Sequence, residues 1–138
     1  MRFCLLFISL AFILVCASCS KKPVADKTAG PLTDYVSMRE EVVKRVQSGT
    51  LKPDVSGVVQ LPADLQSVSS DGQVLVANDS NAGLMILFKA LPLRPGETLG
   101  QLYTEHAPAN AAEFSLGSRS LKVRRKVNEH WFEVSYRS

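Results

Sequence analysis

The folded portion of this chain has no cysteine of its own. All three cysteines of the 138 residues, Cys4, Cys16 and Cys19, fall within the first nineteen positions. Beyond them there is no material for a disulfide framework, a cysteine-ligated zinc ribbon or a thiol nucleophile. Histidine is almost as scarce. His106 and His130 are the only two, without the His-x-x-x-His spacing of a local ligand set, so no metal and no cofactor are expected. Aromatic residues make up 7% of the chain, and apart from Trp131 none lies among the basic residues as a stacking platform. Nucleic acid is therefore not an expected partner. Gly96 and Gly100 lack the following Lys-Ser/Thr of a phosphate-cradling loop and read as turn glycines. A second domain would need about 50 residues or more, for which this length leaves no room.

What is present begins with an apolar block. Residues 3–17 are apolar except for Ser9, with Arg2 before them and the small residues Ala17 and Ser18 after. That order of positive, apolar and small residues is the pattern of a secretory signal. A membrane-spanning helix needs about 20 apolar residues, and this block stops short at Ser18, Ser20, Lys21 and Lys22. Export is expected, with cleavage either at a small-residue site over 15–17 or directly before Cys19.

The run Cys16-Ala17-Ser18-Cys19 resembles the lipobox of bacterial lipoproteins, in which a cysteine behind two small residues is acylated and becomes the mature N-terminus. Cys16 stands where that pattern usually has leucine. The resemblance implies a signal peptide over 1–18, a lipid on Cys19, and the membrane as a partner. It places the protein in the cell envelope, anchored and facing the periplasm or the exterior. Ser20 after the cysteine, where an aspartate would signal retention, implies the outer membrane in Gram-negative members of that family. Several acyl chains on one residue anchor stably, since each buried methylene contributes about 0.8 kcal/mol.

Residues 19–33 read as a flexible tether, because Lys, Pro, Gly, Ala and Thr recur there without apolar periodicity. Residues 34–138 form the domain. Thr33 or Asp34 can cap a helix running to about Gln47, with Tyr35, Met38, Val42, Val43 and Val46 on the apolar side. Arg39, Glu40, Glu41, Lys44 and Arg45 are expected on its polar side, and Gly49 ends it. From Val58 the signals become β-like. Residues 58–61 read as a weak strand, 65–68 as a short strand or helical turn, 73–77 as a strand after the Asp71-Gly72 turn, and 83–89 as a central strand buried on both faces. Residues 92–112 contain Pro92, Pro95, Gly96, Gly100 and Pro108 and read as a long loop, ordered at most over 98–103. The fold class is α+β: one N-terminal amphipathic helix packed on a small antiparallel sheet of about four to six strands. The stretch from Leu61 to Val76 followed by residues 84–88 also resembles uncharacterised secreted bacterial proteins, a resemblance that carries no activity.

The last segment reads as a hairpin turning at Asn128-Glu129. Pairing Val127 with His130 sets Val123 against Val134 and Leu121 against Tyr136 on an apolar face, which only Arg125, opposite Phe132, interrupts. The other face then places Lys126 beside Trp131, Arg124 beside Glu133 and Lys122 beside Ser135. A cation over an exposed indole contributes about 0.5–1 kcal/mol. Residues 119–138 carry six cationic side chains against two carboxylates, so Lys122, Arg124, Lys126 and Trp131 are the candidate binding residues, facing an anionic envelope component or a protein partner. Alternatively the charges only protect a strand edge.

Three functions follow. The expected one is a non-enzymatic, lipid-anchored envelope module that binds through this hairpin. The second is a small secreted hydrolase in which His106, with Glu105, acts as general base for Ser115 or Ser118. The third is a purely structural lipoprotein.

Overall fold

Helix α1, Val36–Gln47, is the first element of the chain that the computed structural model describes; the description covers residues 36–108 and 110–137. The expected signal peptide, lipidated Cys19, tether and Thr33 or Asp34 cap lie outside the described residues. Among the described residues α1 is the one α-helix, followed by strands β1 (Val58–Gln60), β2 (Gln73–Asp79), β3 (Gly83–Arg94), β4 (Glu97–Thr104), β5 (Glu113–Leu116), β6 (Arg119–Lys126) and β7 (Trp131–Arg137). The class is α+β and strand-dominated. The seven strands form one antiparallel sheet in the order β1-β2-β3-β4-β7-β6-β5, which exceeds the expected four to six. The sheet curls until β5 approaches β2.

Curling produces two cores from one sheet, because successive side chains of a strand point to opposite faces. On the outer face Ile86 and Phe88 of β3 and Trp131 of β7 pack with Val42 and Val43 of α1 and with Leu61, Leu65 and Val68 of the β1–β2 connection. On the inner face Met85 and Leu87 meet Leu102, Phe114, Leu121, Phe132, Val134 and Tyr136. This explains the unbroken apolar run of β3: Met85 to Phe88 are at most 1% exposed, each face having its own cover. The segment read as strand or helical turn is a 3-10 turn, Gln66–Val68.

Helix α1 corrects one expectation. Arg39 belongs to the buried side and is 3% exposed. Positions 39, 42, 43 and 46 follow the i, i+3, i+4, i+7 stripe of a helix, so the arginine necessarily faces the sheet. It is accommodated by polar partners. Its Nε donates to the Val68 carbonyl at 3.3 Å, its Nη1 donates to Oε1 of the buried Gln101, and its guanidinium lies 5.8 Å from the centre of the Phe88 ring. Beyond the helix, Gly49 takes a positive φ of 75° and its amide bonds the Val46 carbonyl, the left-handed stop that glycine adopts without steric cost.

Residues 92–112 are not one long loop. Strand β3 continues to Arg94, the chain turns at Pro95 and Gly96 (φ 78°), and β4 runs through the centre of the sheet between β3 and β7. Pro92 is tolerated because the β3–β4 ladder is irregular between Lys89 and Arg94, and Pro95 because it lies in the turn between the two strands. Gly100 is no turn glycine. It is buried in mid-strand opposite Lys89 and Val134.

The C-terminal hairpin keeps the expected pairs Lys122↔Ser135 and Val123↔Val134 and then shifts, so that Arg125 faces Glu133 and Lys126 faces Phe132. A bulge at Arg124 inserts the extra residue. The loop between the strands spans residues 127–130 instead of a two-residue turn, and the Asn128 Oδ1 closes it by accepting the His130 and Trp131 amides at 2.9 and 3.0 Å. The bulge also resolves the misfit of Arg125: it rotates the side chain out to solvent, where Nη2 meets Glu133 at 3.0 Å.

Candidate functional site

Two tight turns frame a concavity at one end of the sheet. The β3–β4 turn at Pro95-Gly96 and the β5–β6 turn at Gly117-Ser118 lie at the same end of the sheet, where β4 and β7 finish their pairing at Glu97↔Arg137. Between them opens a cleft of about 750 Å³, within the usual range for small-molecule sites of roughly 300–1,000 Å³. Gly96 and Gly117 both require the left-handed backbone (φ 78° and 62°), and with no side chain they leave the mouth open.

The lining is cationic. Arg94, Arg119, Lys122 and Arg137 surround it, opposed by one carboxylate, Glu97. Glu97 is already committed: hydrogen bonds from Arg94 and from the Ser135 hydroxyl hold its pKa below the ordinary value, aided by the fields of Arg94 and Arg124. It therefore stays ionised and neutralises Arg94, leaving the other three cations in excess.

Tyr136 forms the buried wall of this cleft and is 5% exposed. Arg119 lies over its ring, with the guanidinium carbon 5.9 Å from the ring centre. Two buried polar atoms of this wall, the Tyr136 hydroxyl and Nη1 of Arg119, make no hydrogen bond among the described residues. Leaving a buried polar group unsatisfied costs about 1–3 kcal/mol, so these atoms mark a place where the protein's own packing is incomplete. Burial pushes the phenol pKa up to about 12, with the neighbouring Arg119 charge opposing the rise and the Asp71 carboxylate adding to it. The hydroxyl is thus protonated at any physiological pH and available to donate.

The four residues proposed from the sequence separate. Lys122 lines the cleft. Arg124 sits in the bulge, exposed, and acts on Glu97 through its field. Lys126 lies at the other end of β6, 5.8 Å over the Phe132 ring, and not beside Trp131. Trp131 is 6% exposed, in the outer core against Phe88 (ring centres 5.5 Å apart) and Tyr103 (5.4 Å). The expected Arg124–Glu133 pair is replaced by Arg125–Glu133. Residues 124–126 also extend past β5, whose pairing ends at Glu113↔Lys122 with one further bond from the Val123 amide to Ala112. Their charges line an open strand edge, which discourages pairing with another chain. Arg94 and Tyr136 were missed, and Arg119 and Arg137 entered only as part of the charge excess over 119–138, because the four come together only through strand pairing and turn placement.

The His106 pair has a different setting. His106 and Glu105 follow β4 at the Tyr103↔Trp131 end of the sheet, whereas Ser118 lines the cleft at the Glu97↔Arg137 end, about 20 Å away at roughly 3.3 Å per strand residue. The Glu105 carboxylate accepts the Leu84 amide at 3.1 Å, and among the described residues no serine hydroxyl bonds the exposed His106 ring. His130 is occupied structurally: its Nδ1 lies 3.1 Å from the Thr104 carbonyl. Among the described residues no three His, Cys, Asp or Glu side chains gather as a metal site, and no helix is long and apolar enough to cross a membrane.

The chain matches no family model, no curated protein and no solved structure. The chemistry of the cleft therefore carries the functional reading by itself. It holds charged and hydroxyl donors in excess of acceptors, and the arrangement suits holding an anion.

Proposed function

We propose that this chain is an exported, lipid-anchored protein of the cell envelope whose domain acts as a non-enzymatic binding module for an anionic envelope component. In this reading residues 1–18 are a signal peptide, Cys19 carries the lipid, and residues 19–33 tether the domain to the membrane. The lipobox-like Cys16-Ala17-Ser18-Cys19 supports the anchor. The observation that carries the binding role is the cleft with three uncommitted cationic groups, Arg119, Lys122 and Arg137, at one end of the curled sheet. Of the hairpin residues first considered, Lys122 remains in the binding surface, Arg124 tunes its rim, and Lys126 and Trp131 serve the fold.

Intact mass and membrane fractionation of the expressed protein beside its Cys19→Ser variant test the anchor. A mature N-terminus at Cys19 with a lipid mass increment, lost in the variant together with membrane association, is the expected result. Release of the unmodified chain into the soluble fraction after cleavage near Ala17 overturns it.

A further inference from the structure

We infer that the cleft is a binding site for a phosphate group, held by the Arg119 guanidinium, Lys122 and Arg137 and closed from behind by the Tyr136 hydroxyl. This deepens the binding reading above and does not depend on the lipid at Cys19. The argument starts from the unmet donors. The buried Nη1 of Arg119 bonds no protein atom among the described residues and is open to an oxygen of water or of a ligand. The Tyr136 hydroxyl, equally buried and equally without a partner, belongs to the same wall, on the ring whose centre is 5.9 Å from the Arg119 guanidinium carbon. An anionic oxygen, which accepts two or more hydrogen bonds, suits such a pair.

The charge and number of donors narrow the class. Lys122 and Arg137 add two further cations at the mouth, while the single carboxylate, Glu97, is already bonded to Arg94 and Ser135. A carboxylate can accept about four hydrogen bonds but brings one negative charge to three cations. A phosphate offers three or more oxygens in a tetrahedral array, and guanidinium groups bind such oxygens through paired, charge-assisted hydrogen bonds. The hydroxyl of Ser118 stands on the same rim and supplies a neutral donor of the kind phosphate sites use, whereas that of Ser120 donates to Glu113. The cleft, at about 750 Å³, exceeds a bare phosphate, so it leaves space for the group that the phosphate esterifies. That description fits a phospholipid headgroup or a small phosphorylated metabolite.

The test uses the full chain carrying Cys19→Ser, so that membrane binding cannot come from an acyl chain. Inorganic phosphate is titrated and followed by amide NMR shifts, and co-sedimentation is measured with vesicles of phosphatidylglycerol and, separately, of phosphatidylcholine. The expected result is saturable binding with shifts at residues 94–97 and 118–120, weakened about tenfold by Arg119→Gln and severalfold by Tyr136→Phe, and unchanged by Lys44→Gln on the exposed side of α1. Phosphate binding together with phosphatidylglycerol sedimentation that needs Arg119 and Tyr136 supports the site and names a headgroup as its source. Phosphate binding without sedimentation supports the site and names a soluble phosphorylated compound. Absence of phosphate binding, or equal affinity in the Arg119 and Tyr136 variants, overturns the inference. If in that case an acidic peptide binds and Lys122→Glu abolishes it, the module reading stands while the phosphate reading falls. If no anion binds, both fall.

Discussion

A β-carbon on Gly100 would stand 3.2 Å from Cε1 of Tyr136, and 2.9 Å from both Leu87 Cδ1 and the Phe88 carbonyl oxygen. The absence of a side chain in the middle of β4 is thus what allows the Tyr136 ring to lie flat in the inner core with its hydroxyl at the cleft wall. The Phe88 carbonyl belongs to the paired backbone and cannot swing aside. Gly100→Ala is expected to lower stability by about 1–3 kcal/mol through overpacking, read as a reduced urea midpoint at unchanged slope. An unaltered midpoint would show that the β3–β4 pair yields more easily than its geometry indicates.

Tyr136→Phe has the opposite expectation. The hydroxyl bonds nothing among the described residues, and removing a buried polar atom that lacks a partner removes its desolvation penalty while the ring keeps its packing. The variant should be as stable as the wild type or more so, by up to about 1 kcal/mol. A loss of more than that in denaturant unfolding would mean the hydroxyl is satisfied within the protein, and would remove one of the two unmet donors on which the phosphate site rests.

Arg39 is buried at 3% exposure with Val68 and Gln101 as hydrogen-bond acceptors. Arg39→Ala strips those acceptors of their donor and removes the aliphatic stem that packs on Phe88. The expected cost is about 2–3 kcal/mol. Arg39→Met, which retains the stem, should lose less. Equal losses in the two variants, measured by chemical denaturation, would indicate that the hydrogen bonds alone carry the effect.

Trp131 is the only tryptophan of the chain and is 6% exposed, which makes it a direct reporter of the outer core. Native fluorescence should be blue-shifted and poorly quenched by acrylamide, moving to the red with the same midpoint as the loss of far-UV signal. Emission already at long wavelength in the native protein would instead return Trp131 to the surface.

Asp71 sets part of the acid limit. Burial by itself would raise its pKa, but the hydrogen bond from Lys89, the Gln73 amide, the Lys89 charge and the Ser69 hydroxyl together hold it below the ordinary 3.8. A carboxylate depressed in the folded state contributes stability that is complete above its unfolded pKa and disappears as the pH falls through the folded one. Asp71→Asn should therefore be less stable than wild type near neutrality, with the gap closing below about pH 4. A gap that persists unchanged at low pH would show that the salt bridge contributes nothing there.

How much of this was legible in the chain follows from the range of the interactions involved. Helix α1, the Gly49 stop, strands β1 to β3 and the pairs Lys122↔Ser135 and Val123↔Val134 depend on local periodicity and turn residues, and the sequence announces them. So does the scarcity of cysteine and histidine in the domain. Strand β4 was hidden because its prolines and glycines read as loop, whereas Gly100 answers to a contact with Tyr136 from a strand far along the chain. Arg39 has the composition of a surface residue and the position of a core one, and helical spacing overrules its charge once polar partners from Val68 and Gln101 reach it. The Arg124 bulge turns on a loop two residues longer than a tight turn, and that one inserted residue moved Arg125 outward and separated Lys126 from Trp131. Residue types and their spacing by themselves determined one helix and an antiparallel sheet. The cleft was decided only by the tertiary structure, because Arg94, Arg119, Tyr136 and Arg137 are spread over three strands, β3, β6 and β7, and meet when the curled sheet brings two glycine turns to one end.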